Sequence, residues 1–181
     1  MHRSVLRRKQ KVLKYIDNVV NANPLKITNE SMCYCYILSF ASLEYMIETL
    51  IRGWIQSNIR YHKHYYPGKS KVDNIIMVLN ELAEGALKYN NGIDYDKICD
   101  LVGKLAGDAK KDAFMLEVKS FSGGAPALKA SIDRIKIMRH NVAHGAVWPD
   151  ETTPNVSELK TDFSHIYDCL IQALNTTLKR Y

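Results

Sequence analysis

Long apolar runs, backbone breakers and paired cysteines are all scarce in this chain, and each scarcity removes a class of protein. The most apolar stretch, Met32 to Ile51, is interrupted by Glu44 and Glu48, which makes it a poor bilayer span, and no membrane partner is expected. The start, Met1 to Lys9, is basic, but no apolar segment follows it, which argues against a secretory signal. Helical periodicity continues through that start without a break, which argues against a transit peptide. The four cysteines, Cys33, Cys35, Cys99 and Cys169, include no CxxC pair. A zinc site needs tighter clustering with His or further Cys. Buried free thiols in a reducing, cytoplasmic setting are the expectation. No phosphate-binding glycine loop, Walker motif, serine-hydrolase elbow or dinucleotide fingerprint is present, so neither a cofactor nor a metal is expected.

Only five prolines and nine glycines punctuate 181 residues, which leaves room for long regular elements. No segment alternates with strand period, and no repeat, low-complexity tract or linker divides the chain. The length suits one domain, residues 1–181, with a single core. Apolar spacing of three and four predicts a first helix over Ser4–Val20, with Val5, Val12, Ile16, Val19 and Val20 near one face. A second is predicted from Thr28 or Asn29 to about Arg60, its stripe being Tyr36, Phe40, Leu43, Ile47, Leu50, Ile51 and Trp54. Tyr61 to Lys71 reads as a loop. A third helix is expected from Ser70 to about Lys88. A shorter one holds Ile98, Leu101, Val102 and Leu105, and another covers Ala109 to Val118. Ser120 to Gly124 is a break. The next helix opens near Ala125–Pro126, where proline suits the first turn, and carries Leu128, Ile132, Ile135 and Met138 or Arg139. Gly145 is a candidate cap near its end. A final helix runs from about Ser157 with Leu159, Phe163, Ile166, Leu170, Leu174 and Leu178 inside. The fold class is therefore all-α, a helical bundle.

The net charge is +6 and the pI about 9.1, an excess that favours polyanions, nucleic acid first. One segment carries chemistry: Arg139-His140-Asn141-Val142-Ala143-His144. Cleaving RNA without a metal requires a proton to leave the ribose 2'-hydroxyl, a stabilised phosphorane, and a proton delivered to the departing 5'-oxygen. Histidine near its ordinary pKa performs either transfer. Arginine, always cationic and fork-shaped, suits the phosphorane. Arg134 and His140 satisfy a similar Arg-to-His pattern, so spacing alone does not select between the two arginines. Context does: Arg139 to His144 lies at the end of a well-marked amphipathic helix and is followed by Gly145.

The string Ile137-Met138-Arg139-His140-Asn141-Val142-Ala143-His144-Gly145 resembles the HEPN superfamily signature, an Arg, a polar residue, a short spacer and a His. Tyr36, Glu44 and Tyr45 on the long second helix resemble the aromatic and acidic first helices of RiboL-PSP-type members. The resemblance implies a bundle built on a four-helix core and a homodimer in which two such segments form a composite site. It implies a metal-independent endoribonuclease leaving a 2',3'-cyclic phosphate, of the kind found in toxin–antitoxin and antiviral systems, with an antitoxin or regulatory protein as a further partner. By position, Arg139 would hold the scissile phosphate, His144 would be general acid or base, and His140 would position the phosphate or share proton transfer. Asn141 is adjacent, with a supporting role.

Two other readings remain beside it: a catalytically silent HEPN-like module binding RNA or protein, and a purely structural dimerisation domain. Arg139 and His144 are also chemically suited to close a helix C-terminus. Glu44 and Glu48 are one turn apart and suit either an ion pair with a neighbouring helix or a supporting contact from Glu44 to Arg139. Arg60, Lys63 and Lys69, interleaved with His62, His64, Tyr65 and Tyr66, suit RNA contact or a solvated loop. The basic residues Arg3, Arg7, Arg8, Lys9 and Lys11 suit RNA, an acidic partner or a solvated helix face.

Overall fold

A computed structural model describes residues 3–21, 29–65, 93–143 and 156–178. Among them the structure is all-helical and contains no strand. Six helices are described: α1 (Arg3–Val20), α2 (Asn29–Tyr65), α3 (Tyr95–Ala106), α4 (Asp108–Lys119), α5 (Gly124–Ala143) and α6 (Val156–Thr177). None is long and apolar enough to cross a membrane. The helix expected over Ser70–Lys88 and the proposed cap Gly145 lie outside the described residues.

The apolar stripes bury as their spacing requires. Val5, Val12, Ile16 and Val19 line the inner face of α1, whereas Val20 is 38% exposed. One step beyond Val19 turns a side chain about 100° off the buried face. All of Tyr36, Phe40, Leu43, Ile47, Leu50 and Ile51 are buried on α2, and Trp54 is partly so. The long second helix continues to Tyr65, past the Tyr61 boundary expected for a loop. Residues 61–65 contain no breaker, and the first proline is Pro67.

Helix α1 packs against both α2 and α6. It runs antiparallel to each. Arg8 stacks on Tyr45 while Tyr15 meets Tyr34 edge-on, and Lys9 pairs with Asp168 while Lys160 pairs with Asp17. The buried Tyr167 hydroxyl donates to the Val5 carbonyl at 2.8 Å. That bond satisfies a phenol that would otherwise cost about 1–3 kcal/mol to bury. Helices α3 and α4 pack against each other, and α4 lies on α6.

Two glycines make the connections. Gly107 has φ +88 and its carbonyl accepts from the amides of Lys110 and Lys111 at the start of α4. Gly123 has φ +76, and a Cβ there would sit 2.5 Å from the Cβ of Ala127. Both the positive φ and the close approach require glycine at the entry to α5. From that entry Leu128, Ser131, Ile132 and Ile135 bury one stripe of α5 against α2 and α6.

Candidate functional site

The buried stripe of α5 steps from Leu128 to Ile132 to Ile135, and the next position on that face is Arg139. A cation therefore stands where another apolar residue would continue the core. The side chain is half-buried, and its guanidinium carbon lies 5.2 Å from the centroid of the Phe40 ring on α2. The aliphatic stem covers apolar surface while the charged head stacks on the negative face of an aromatic ring. Phe40 is itself buried, so the platform is fixed.

Glu44 stands one turn beyond Phe40 on α2. Its residue surface is open to water, yet its carboxyl is crowded by protein atoms, and this desolvation raises its pKa. The Arg139 charge acts in the opposite direction, favouring the carboxylate, and Glu48 opposes it. The structure thus brings Glu44 within electrostatic reach of Arg139. Among the described residues Glu48 makes no ion pair with a neighbouring helix. Its carboxylate accepts from Arg52 at 2.8 Å, on its own helix. With i and i+4 partners available on the same exposed face, no cross-helix partner is needed.

His140 follows Arg139 by about 100° of helix rotation and is exposed; Asn141 is half-buried. Arg139 and Glu44 therefore meet where the end of α5 crosses α2, while His140 and Asn141 leave α5 about 100° and 200° further round the helix. His144 lies outside the described residues. Arg60 is exposed on α2, but twenty positions from Phe40 put it about 30 Å along the axis from the Arg139 platform. The Lys63 side chain and the whole of Lys69 lie outside the described residues, as do the side chains of His62, His64 and Tyr65. Among the described residues no three His, Cys, Asp or Glu side chains cluster as metal ligands.

The competing arginine is placed quite differently. Arg134 donates through Nε and Nη2 to the two oxygens of Asp162 on α6 at 2.7 and 2.6 Å. The Ser131 hydroxyl donates to the same carboxylate at 2.8 Å. Asp162 is buried, so this bidentate pair holds α5 on α6. Nearby, burial pushes the Tyr36 phenol up to about 12, with the charges of Glu158, Asp162 and Cys35 adding to the shift. Sequence reasoning passed over this network, although Asp162 falls between Leu159 and Phe163 on the core face of α6. An acid within an apolar stripe was the available signal. Phe40 was read only as core.

Compared with family models, with curated proteins and with solved structures, the chain has no significant match.

Proposed function

We propose that the chain is a HEPN-type, metal-independent endoribonuclease that acts as a homodimer, with a four-helix core presenting the Arg139 to His144 segment at a composite site. The observation carrying this reading is the contrast between the two arginines of α5. Arg134 has its fork filled by a buried carboxylate, whereas Arg139 is held on an aromatic face beside an exposed histidine. A guanidinium supported from below by a ring keeps its N–H donors available for a phosphate.

In the proposed reaction the ribose 2'-hydroxyl gives up its proton as its oxygen attacks the adjacent phosphorus. The P–O5' bond breaks, and the departing 5'-oxygen takes a proton. The products are a 2',3'-cyclic phosphate and a 5'-hydroxyl. Arg139 stabilises the charge gathering on the phosphorane oxygens. His144 serves as general acid or base, and His140 positions the phosphate or shares the transfer. Asn141 and Glu44 support the site, Glu44 by its charge on Arg139. Membership of a toxin–antitoxin or antiviral system belongs to the same reading.

The test is cleavage of total RNA in the presence of a chelator, comparing the native protein with Arg139→Ala and His144→Ala, with helicity checked for each. Loss of chelator-resistant cleavage in both variants supports the site. No cleavage by the native protein over a broad RNA panel favours a silent binding module. Cleavage that survives both substitutions removes these residues from the mechanism.

A further inference from the structure

Helix α1 carries six cations, Arg3, Arg7, Arg8, Lys9, Lys11 and Lys14, against one carboxylate, Asp17, so five of the chain's net six positive charges sit on one helix. Two of the six are used internally: Arg8 stacks on Tyr45 at 4.6 Å and Lys9 pairs with Asp168 at 2.6 Å. The acid is used as well, by Lys160. The remaining four, Arg3, Arg7, Lys11 and Lys14, are all exposed, and none takes part in an ion pair among the described residues. At about 100° per residue they fall within an arc of about 80°, centred about 145° from the buried valines. Their successive rises are about 6, 6 and 4.5 Å, comparable to the distance between neighbouring phosphates of one strand.

We infer that this outer face of α1 is a binding track for the phosphate backbone of a single nucleic-acid strand. Charge complementarity is the first argument. The second is that the intervening exposed residues, Ser4, Gln10 and Asn18, offer hydrogen bonds but no apolar anchor. Protein partners dock through buried aromatic and aliphatic hot spots, which this face does not provide. The third excludes an interfacial membrane helix: the apolar face that would enter a bilayer, Val5, Val12, Ile16 and Val19, is already buried against α2 and α6. Backbone contacts of this kind position a strand and carry no base preference. The track does not depend on the cleavage reading.

The experiment measures binding of a fluorescently labelled, fully 2'-O-methylated single-stranded RNA, which keeps the phosphates and lacks the nucleophile, so loss of cleavage cannot mimic loss of binding. Affinity is read against salt concentration for the native protein and for a variant carrying Arg3→Gln, Arg7→Gln, Lys11→Gln and Lys14→Gln. Each phosphate contact on a single strand contributes about 0.7 to the slope of log affinity against log salt, so the variant loses about 2.8 from its magnitude and several hundred-fold in affinity near 0.1 M salt. A charge control removes Lys97, Lys104 and Lys119, exposed on α3 and α4. It should lose less than one unit of slope. An equal loss per charge in the control means diffuse attraction and overturns the track. So does absence of RNA binding by the native protein, or a native preference for phosphatidylserine vesicles or polyglutamate over the RNA. All variants change exposed side chains, and an unchanged thermal midpoint shows that they fold.

Discussion

Arg139 rests on Phe40, its guanidinium carbon 5.2 Å from the ring centroid, and this contact links the end of α5 to the first third of α2. Phe40→Leu keeps apolar volume but removes the π face, and should cost about 1–2 kcal/mol in urea denaturation. A double-mutant cycle with Arg139→Met, which keeps the stem and discards the charge, should give a coupling of about 0.5–1 kcal/mol. A coupling near zero would mean that the ring supports only the stem.

Glu44 has its pKa raised, by desolvation first, against the pull of Arg139 and with help from Glu48. Folding therefore strengthens its hold on a proton. The contribution favours the native state below the ordinary carboxylate value and is lost as pH rises through the elevated one. Glu44→Gln fixes the side chain neutral. Its urea midpoint should exceed that of the native protein at neutral pH, and the two should converge in acid. Solvent exposure keeps the gap small. A Gln variant less stable at neutral pH would show that the Arg139 attraction outweighs desolvation.

The Arg134–Asp162 pair predicts an asymmetry. The Asp162 side chain is 7% exposed and the Arg134 side chain 49%. Arg134→Ala strands a buried carboxylate with only the Ser131 hydroxyl, and should cost about 2–3 kcal/mol. Asp162→Ala leaves a cation that can turn to water, and should cost less. Neither substitution removes a group assigned to the proposed RNA reaction, so whatever cleavage the native protein shows should persist per folded molecule. Denaturation midpoints and cleavage rates on the same preparations check both statements.

Thiol reactivity should separate the cysteines. Burial pushes Cys35 and Cys169 up to about 11 and raises Cys99 as well, while Cys33 is only half-buried. At pH 8 a thiol with a pKa near 11 is about one-thousandth thiolate, and the thiolate is the reactive form. Iodoacetamide should label Cys33 well ahead of the other three, followed by mass spectrometry of the native protein. Early labelling of Cys35 would show that α2 opens there.

The helices were legible because their signal is local. Spacing along ten or twenty residues located the inner faces of α1, α2, α3, α5 and α6, and nearly every residue named for them is buried. The end of α2 was misread because Tyr61 to Tyr65 is polar and aromatic, which resembles a loop in composition although nothing in it breaks a helix. Pairings between distant segments left no such trace. The ring beneath Arg139 and the carboxylate within the fork of Arg134 are set by how α5 crosses α2 and α6, and helical period is silent on which face meets which. Arg139 itself was found through its motif. What separates it from Arg134, five positions earlier on the same helix, is tertiary.

The hydroxyl of Tyr167 and the carbonyl of Val5 meet across 162 residues of chain. Ribosomes add roughly 5–20 residues per second, so α1 waits roughly 8–32 s after its own synthesis before α6 exists to receive it. Among the described helices only α2 then lies against the valines of α1. A nascent chain arrested before α6 therefore presents an apolar flank that chaperones recognise, and the bundle becomes protease-resistant only once α6 has been made.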